Sequence, residues 1–216
     1  MRIALALAVA LAACGAPARA PAQIENRARP EAPVTVAFLV NGMEIWLGNE
    51  DFETDEAARY PGALHAVKRA IDAARPPTGQ GLIVTYDMAA TVVVPLGPIE
   101  RVTGEALGEQ RAYRGRIGVD LVTGVRLALD ELAKAPPGER TLVVIGDGND
   151  TNNEVAKGQL AELRARADRA GIRVEAVIWK SAVSAPEDVV SSLDPTPTHV
   201  RTVDDIVGAV TAAVAR

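Results

Sequence analysis

The apolar run Thr141 to Ile145 breaks directly into Gly146-Asp147-Gly148 and then into Asn149-Asp150-Thr151-Asn152-Asn153. Carboxylates and amides of this kind offer hard oxygen atoms to a cation, or acceptors to unpaired backbone amides. In open α/β sheets ligands gather at the carboxyl ends of strands, so Asp147 stands where a site is expected. Three further acids, Glu50, Asp51 and Asp55, lie in the loop after the first strand and could converge there with Asp147 and Asp150. Such an irregular set would suit calcium better than magnesium. The alternative is that these acids are solvated loop residues and that Asp147 caps the loop or helix behind it. An EF-hand is excluded, since counting from Asp147 its glycine and its glutamate would fall on Asn152 and Gly158.

Catalytic arrangements fail on residue type. The chain has two histidines, His65 in a helical stretch and His199 at the start of a strand, and neither accompanies a serine in a nucleophile elbow. Phosphotransfer through an aspartate needs an acid at the end of the first strand, where Asn41-Gly42-Met43 supplies none. Gly146-Asp147-Gly148 begins a dinucleotide-type glycine pattern, but Thr151 ends it. Pairs of His or Cys at metal-ligand spacing are absent from the sequence.

The elements that must hold Asp147 in place are legible as alternating periods. Val34 to Val40 is a continuous apolar strand, followed by a long acidic loop to Arg59. In Tyr60 to Ala74, Leu64, Val67, Ile71 and Ala74 line one helical face. Gly81 to Tyr86 and Thr91 to Pro95 form a hairpin around Asp87 to Ala90, with one strand at the sheet edge and Pro95 closing it. Val119 to Ala133 is a helix with the stripe Val122, Val125, Leu129 and Leu132. The strand Thr141 to Ile145 leads to the helix Glu154 to Ala170, which stops at Gly171, and then to the strand Ile172 to Trp179. A brief strand, His199 to Arg201, precedes a last helix that opens on Thr202-Val203-Asp204-Asp205 in the manner of a capping box. Strands alternating with helices specify an α/β chain with a parallel-dominated sheet covered on both faces.

With 216 residues, 48% hydrophobic and 24% charged, the chain suits one sizeable domain. A formal charge of -5 and scattered Lys and Arg argue against nucleic acid as a partner. Residues 1–13 place one cation, Arg2, before an apolar run too short to span a bilayer, which reads as a signal peptide. Its end, Leu11-Ala12-Ala13-Cys14, resembles the bacterial lipobox, in which the cysteine takes a lipid before cleavage. Cys14 is the one cysteine of the chain, so lipidation gives it a use that disulfide pairing cannot. An ordinary secretory signal cleaved near Ala16 or Ala20 is the alternative. Residues 14–33, rich in Pro and Ala, read as a tether, and residues 34–216 as the folded domain. Gly15, rather than Asp, follows the cysteine, which points to an exported, cell-envelope protein of the outer membrane.

The order of elements, with VAFLVNGM (Val36 to Met43), LIVTYDMAATVVVPLG (Leu82 to Gly97) and GVDLVTGVRLAL (Gly118 to Leu129) leading into TLVVIGDGND, resembles the von Willebrand factor type A (vWA) domain. The resemblance covers nearly everything after the tether. It implies a Rossmann-like three-layer fold with a mostly parallel sheet and one antiparallel edge strand. It also implies a metal-ion-dependent adhesion site, built from Asp-x-Ser-x-Ser, a Thr and a later Asp around a divalent cation. On this chain those positions are Asn41, Met43, Ile45, Val119 and Asp147, so only the last keeps its ligand. A thioether is too soft for magnesium and Ile and Val offer no ligand atom, so neither magnesium nor any other cofactor is expected. Thr123 could replace Val119 only if the alignment slipped by about 6 Å, one helical turn.

The long loop after the first strand also holds Ile45, Trp46, Leu47 and Phe52, an apolar group with an acidic rim that suits a protein partner. The same residues could instead fold the loop onto itself. Trp179 belongs with the sheet core. The sequence therefore points to a non-enzymatic, membrane-tethered protein-interaction module. Its alternatives are a cation-dependent adhesion protein using the acidic loops and a hydrolase whose residues the sequence does not identify.

Overall fold

A computed structural model describes residues 33–42, 63–108, 119–179, 189–202 and 204–216, all within one unit, Ala32–Arg216. Five runs of β-forming residues make β1 (Val34–Asn41), β2 (Gln80–Tyr86), β3 (Ala90–Pro98), β4 (Glu139–Gly146) and β5 (Ile172–Trp179), and a short β6 (Thr198–Val200) completes the set. They form a six-stranded sheet in the order β3-β2-β1-β4-β5-β6. Every pair is parallel except β2 with β3, which is antiparallel at the edge. Among the described residues four α-helices, α1 (Ala63–Ala74), α2 (Leu121–Leu132), α3 (Asn153–Arg169) and α4 (Asp205–Ala215), connect or follow the strands.

The sheet is buried on both faces, which is why β1 reads as an unbroken apolar run. Val36, Phe38 and Val40 share one core with α1 and α4, while Ala37 and Leu39 share the other with α2 and α3. The stripes expected on the first two helices are buried, Val67 and Ile71 of α1 and Val125 and Leu129 of α2, and so are Leu160 and Ala167 of α3 and Ile206 and Val210 of α4. Truncating one of the larger of these, Leu129 to Ala for example, would cost about 2–5 kcal/mol. Trp179 lies fully within the α1/α4 core. Among the described residues no helix is long and apolar enough to cross a membrane.

Several boundaries differ from the sequence expectation, and β4, for one, runs Glu139–Gly146 rather than Thr141 to Ile145. Pro95 does not close β3, which continues to Pro98; Pro95 is exposed on the edge, where no neighbouring strand needs an N–H, and the pairing absorbs register shifts between Gly81 and Val84. Ala90 belongs to β3, so the turn is Asp87 to Ala89, closed by the Asp87 N–H on the Ala89 carbonyl at 3.0 Å. Helix α2 starts at Leu121 rather than Val119, because Asp120 caps it. Finally, β6 lies one residue earlier than His199 to Arg201. At the end of α3, Gly171 takes φ +64°, the left-handed conformation that suits glycine after a helix.

Candidate functional site

Parallel register brings the ends of β1, β2 and β4 together. Asn41 pairs in register with Tyr86, and Val40 with Ile145, which puts Gly146 beside Asn41. Packing there leaves no room for a side chain at residue 146, since a Cβ would lie 2.6 Å from the Tyr86 hydroxyl and 2.8 Å from the Asn41 Cβ. At the other end of the Tyr86 side chain, a Cβ on Gly124 of α2 would stand 2.9 Å from the Tyr86 Cβ. The two glycines thus hold Tyr86 in a slot against the strand ends.

Asp147 follows directly and is 3% exposed. The Asn41 side chain, fully buried, donates from Nδ2 to Asp147 Oδ1 at 2.9 Å. Asn149 donates twice more, from its backbone N–H to Oδ1 at 3.3 Å and from Nδ2 to Oδ2 at 2.8 Å. Three amide donors therefore converge on one carboxylate. The nitrogen of Asn41 must face it, because its carbonyl oxygen would repel the acceptor. This arrangement caps the loop 147–149, as the structural alternative for Asp147 required, but it does not cap α3.

Asp150 turns the other way. Its Oδ2 accepts the Val122 N–H at 3.3 Å and its Oδ1 accepts the Asn152 N–H at 2.9 Å. Val119 is buried, and its N–H donates to Thr151 Oγ1 at 2.6 Å while its carbonyl accepts the Thr151 N–H at 2.8 Å. Thr123 is engaged by the cap: Asp120 Oδ1 accepts its N–H at 2.8 Å and Oδ2 its hydroxyl at 2.6 Å. The Asp120 N–H in turn reaches the Asp87 carbonyl at 2.7 Å, and Val190 donates to the Gly148 carbonyl at 3.1 Å. The loops at this end of the sheet are therefore joined into one rim by side-chain and backbone hydrogen bonds.

The structure brings together Asn41 and Asp147, and places Val119 nearby on the rim. Cys14, Met43, Ile45, Trp46, Leu47, Glu50, Asp51, Phe52 and Asp55 lie outside the described residues. His65 and His199 are both exposed. Among the described residues no group of three or more His, Cys, Asp or Glu is placed to hold a metal ion. Sequence reasoning missed Asp120, although an Asp directly before a helical stripe is a standard N-cap signal.

No protein-family model matches the chain, and no curated protein does. Solved structures do resemble it. A von Willebrand factor type A protein from Catenulispora acidiphila superposes with a TM-score of 0.61 at 16% identity, over 86% of this chain and 42% of that one. A conserved hypothetical protein, BatB from Bacteroides thetaiotaomicron, gives 0.58 at 12% identity over 85% and 97%. Proximal thread matrix protein 1 from the mussel byssus, described with a zinc-occupied MIDAS motif, gives 0.57 at 12% identity over 85% and 47%. The chain thus spans less than half the length of two of these three. Its fold is that of the von Willebrand factor type A domain.

Proposed function

We propose that the chain is a non-enzymatic module that binds another protein, on a type A scaffold whose cation has been replaced by hydrogen bonds. The Asn41 to Asp147 bond carries this reading. Where a cation would neutralise two facing acids, here an amide hydrogen-bonds the one carboxylate directly, and Asn149 adds two further donors. The residues present do not fit a divalent ion. Val119 has no ligand atom, and by their chemistry Met43 and Ile45 offer no hard oxygen where magnesium would want six. The non-enzymatic part of the reading rests on the sequence, which offers two histidines, no serine in a nucleophile elbow, and a single cysteine.

A lipid on Cys14 would hold the module at the envelope through the 14–33 tether, most simply in the outer membrane, with Trp46, Phe52, Ile45, Leu47 and Asp147 contributing contacts. A protein partner is also what the type A scaffold suggests. The second reading, a non-standard cation site, is favoured by one observation: the Asn149 Oδ1 is shielded from solvent and has no hydrogen-bond donor among the described residues. One such oxygen beside a carboxylate that already accepts three amide hydrogen bonds falls far short of a coordination set.

Cross-linked capture from intact membranes, run in a chelator and again in millimolar magnesium, calcium or manganese, separates the two. The expected result is the same protein partner in every condition. Capture that depends on a cation would overturn the metal-free reading, and recovery of no protein in any condition would overturn the interaction module.

A further inference from the structure

The hydrogen bond from Asn41 to Asp147 joins two dipeptides of related chemistry. Asn41 precedes Gly42 and Asp147 precedes Gly148, and these are the one Asn-Gly and the one Asp-Gly of the sequence. We propose that Asn41-Gly42 is a deamidation site, shut while the chain is folded and reactive whenever it unfolds, whose product does not rebuild the native pair with Asp147.

The reaction uses water alone. The Gly42 backbone N–H gives its proton to solvent base, and the nitrogen bonds to the Asn41 side-chain carbonyl carbon, Cγ. The Cγ–Nδ2 bond breaks, ammonia leaves, and a five-membered imide closes. Water then opens the imide at one carbonyl to give aspartate, or at the main-chain carbonyl to give isoaspartate. A following glycine favours the attack, since it has no Cβ to crowd the approach and leaves the backbone free to reach the ring geometry. Asp147-Gly148 can close the same ring with loss of water, and its glycine is not exchangeable. Gly148 has φ +77°, and a Cβ there would lie 3.1 Å from Val190 and 3.2 Å from Ile178.

The fold withholds each requirement at Asn41. Asn41 and Gly42 are both buried, which keeps solvent base from the attacking nitrogen. The leaving nitrogen, Nδ2, is tied to Asp147 Oδ1 at 2.9 Å, and Asn41 is held in the ladder of β1 opposite Tyr86. Attack therefore needs the end of β1 to detach from its neighbours. Afterwards the pair is lost by either route. Aspartate at position 41 sets a second carboxylate against Asp147, and isoaspartate lengthens the backbone where β1 must stay in register with Tyr86.

The test incubates the full chain at pH 8 and 37 °C, natively and in guanidinium chloride, and follows the Asn41 amide by peptide mapping with mass spectrometry. A folded domain is unfolded less than about one part in a thousand of the time. Loss of the Asn41 amide should therefore be at least about tenfold slower in the native chain, and across a denaturant series it should rise together with the unfolding transition. Gly42→Ala, compared in denaturant where folding plays no part, should slow the loss several-fold. After refolding, the deamidated fraction should unfold at a lower denaturant midpoint than the intact chain at pH 7. Native loss within about tenfold of the unfolded rate would overturn the protection. An Asn41 amide that survives in the unfolded chain, or a deamidated chain that refolds with an unchanged midpoint, would overturn the site or its consequence.

Discussion

Asn41→Asp tests the replacement of a cation by an amide most directly. The substitution puts a carboxylate oxygen where Nδ2 now lies, 2.9 Å from Asp147 Oδ1 and away from solvent. Two unit charges at that separation repel by about 6 kcal/mol at an effective permittivity near 20. The folded chain escapes part of this by keeping one proton on the pair. From an ordinary carboxyl pKa of about 3.9, holding that proton at pH 7 costs about 4 kcal/mol, at 1.36 kcal/mol per unit. A protonated carboxyl then donates to Asp147 as the amide did, so the fold is kept at a cost that depends on pH.

The sign is fixed by which state binds the proton. Above about pH 4 the folded variant holds a proton that the unfolded chain has released, so its stability falls as pH rises, by up to about 1.4 kcal/mol per unit. Urea unfolding of the natural chain and the variant, both in chelator, reads this out. The difference in unfolding free energy should widen from below about 1 kcal/mol near pH 4.5 to about 4 kcal/mol at pH 7. A difference that stays constant with pH, or stays under about 1 kcal/mol throughout, would show that Asn41 does not compensate Asp147 and would refute the reasoning.

Two further outcomes follow from the packing and the caps. Gly124→Ala should lower stability by about 1–2 kcal/mol, because forcing a methyl against Tyr86 outweighs the gain of about 1 kcal/mol in helix propensity; an unchanged or raised thermal midpoint would contradict the slot around Tyr86. The Asp205 carboxyl is held below the ordinary range, first by the Thr202 side chain and then by the Thr202 backbone N–H. Its contribution is therefore present above the ordinary carboxylate range and lost as pH falls through the lowered value. In Thr202→Ala the Asp205 titration followed by NMR should move up toward that range, and an unmoved titration would exclude the hydroxyl as the main cause.

Element types were legible from period alone because burial on both faces forces it. Val36 to Val40 and Ile172 to Trp179 had to be strands of a covered sheet, and Leu160, Leu163 and Ala167 had to be the inner face of α3. Edges were less legible: β3 outran Pro95 because an edge strand tolerates a missing N–H, a property of neighbours rather than of the local sequence.

By itself, the sequence determined the alternation of strands and helices, the presence of an acid after β4, and the lack of hard ligand atoms at Met43, Ile45 and Val119. The tertiary structure alone decided what Asp147 does. Asn41 and Asp147 are 106 residues apart along the chain, and only the parallel pairing of β1 with β4 sets one amide on one carboxylate. It also decided that Asp150 serves α2 rather than Asp147, since a carboxylate beside two loops bonds to whichever backbone amides are left without partners by the helix start. Side-chain types are written locally, but a site is a set of distances, and those come from register and packing.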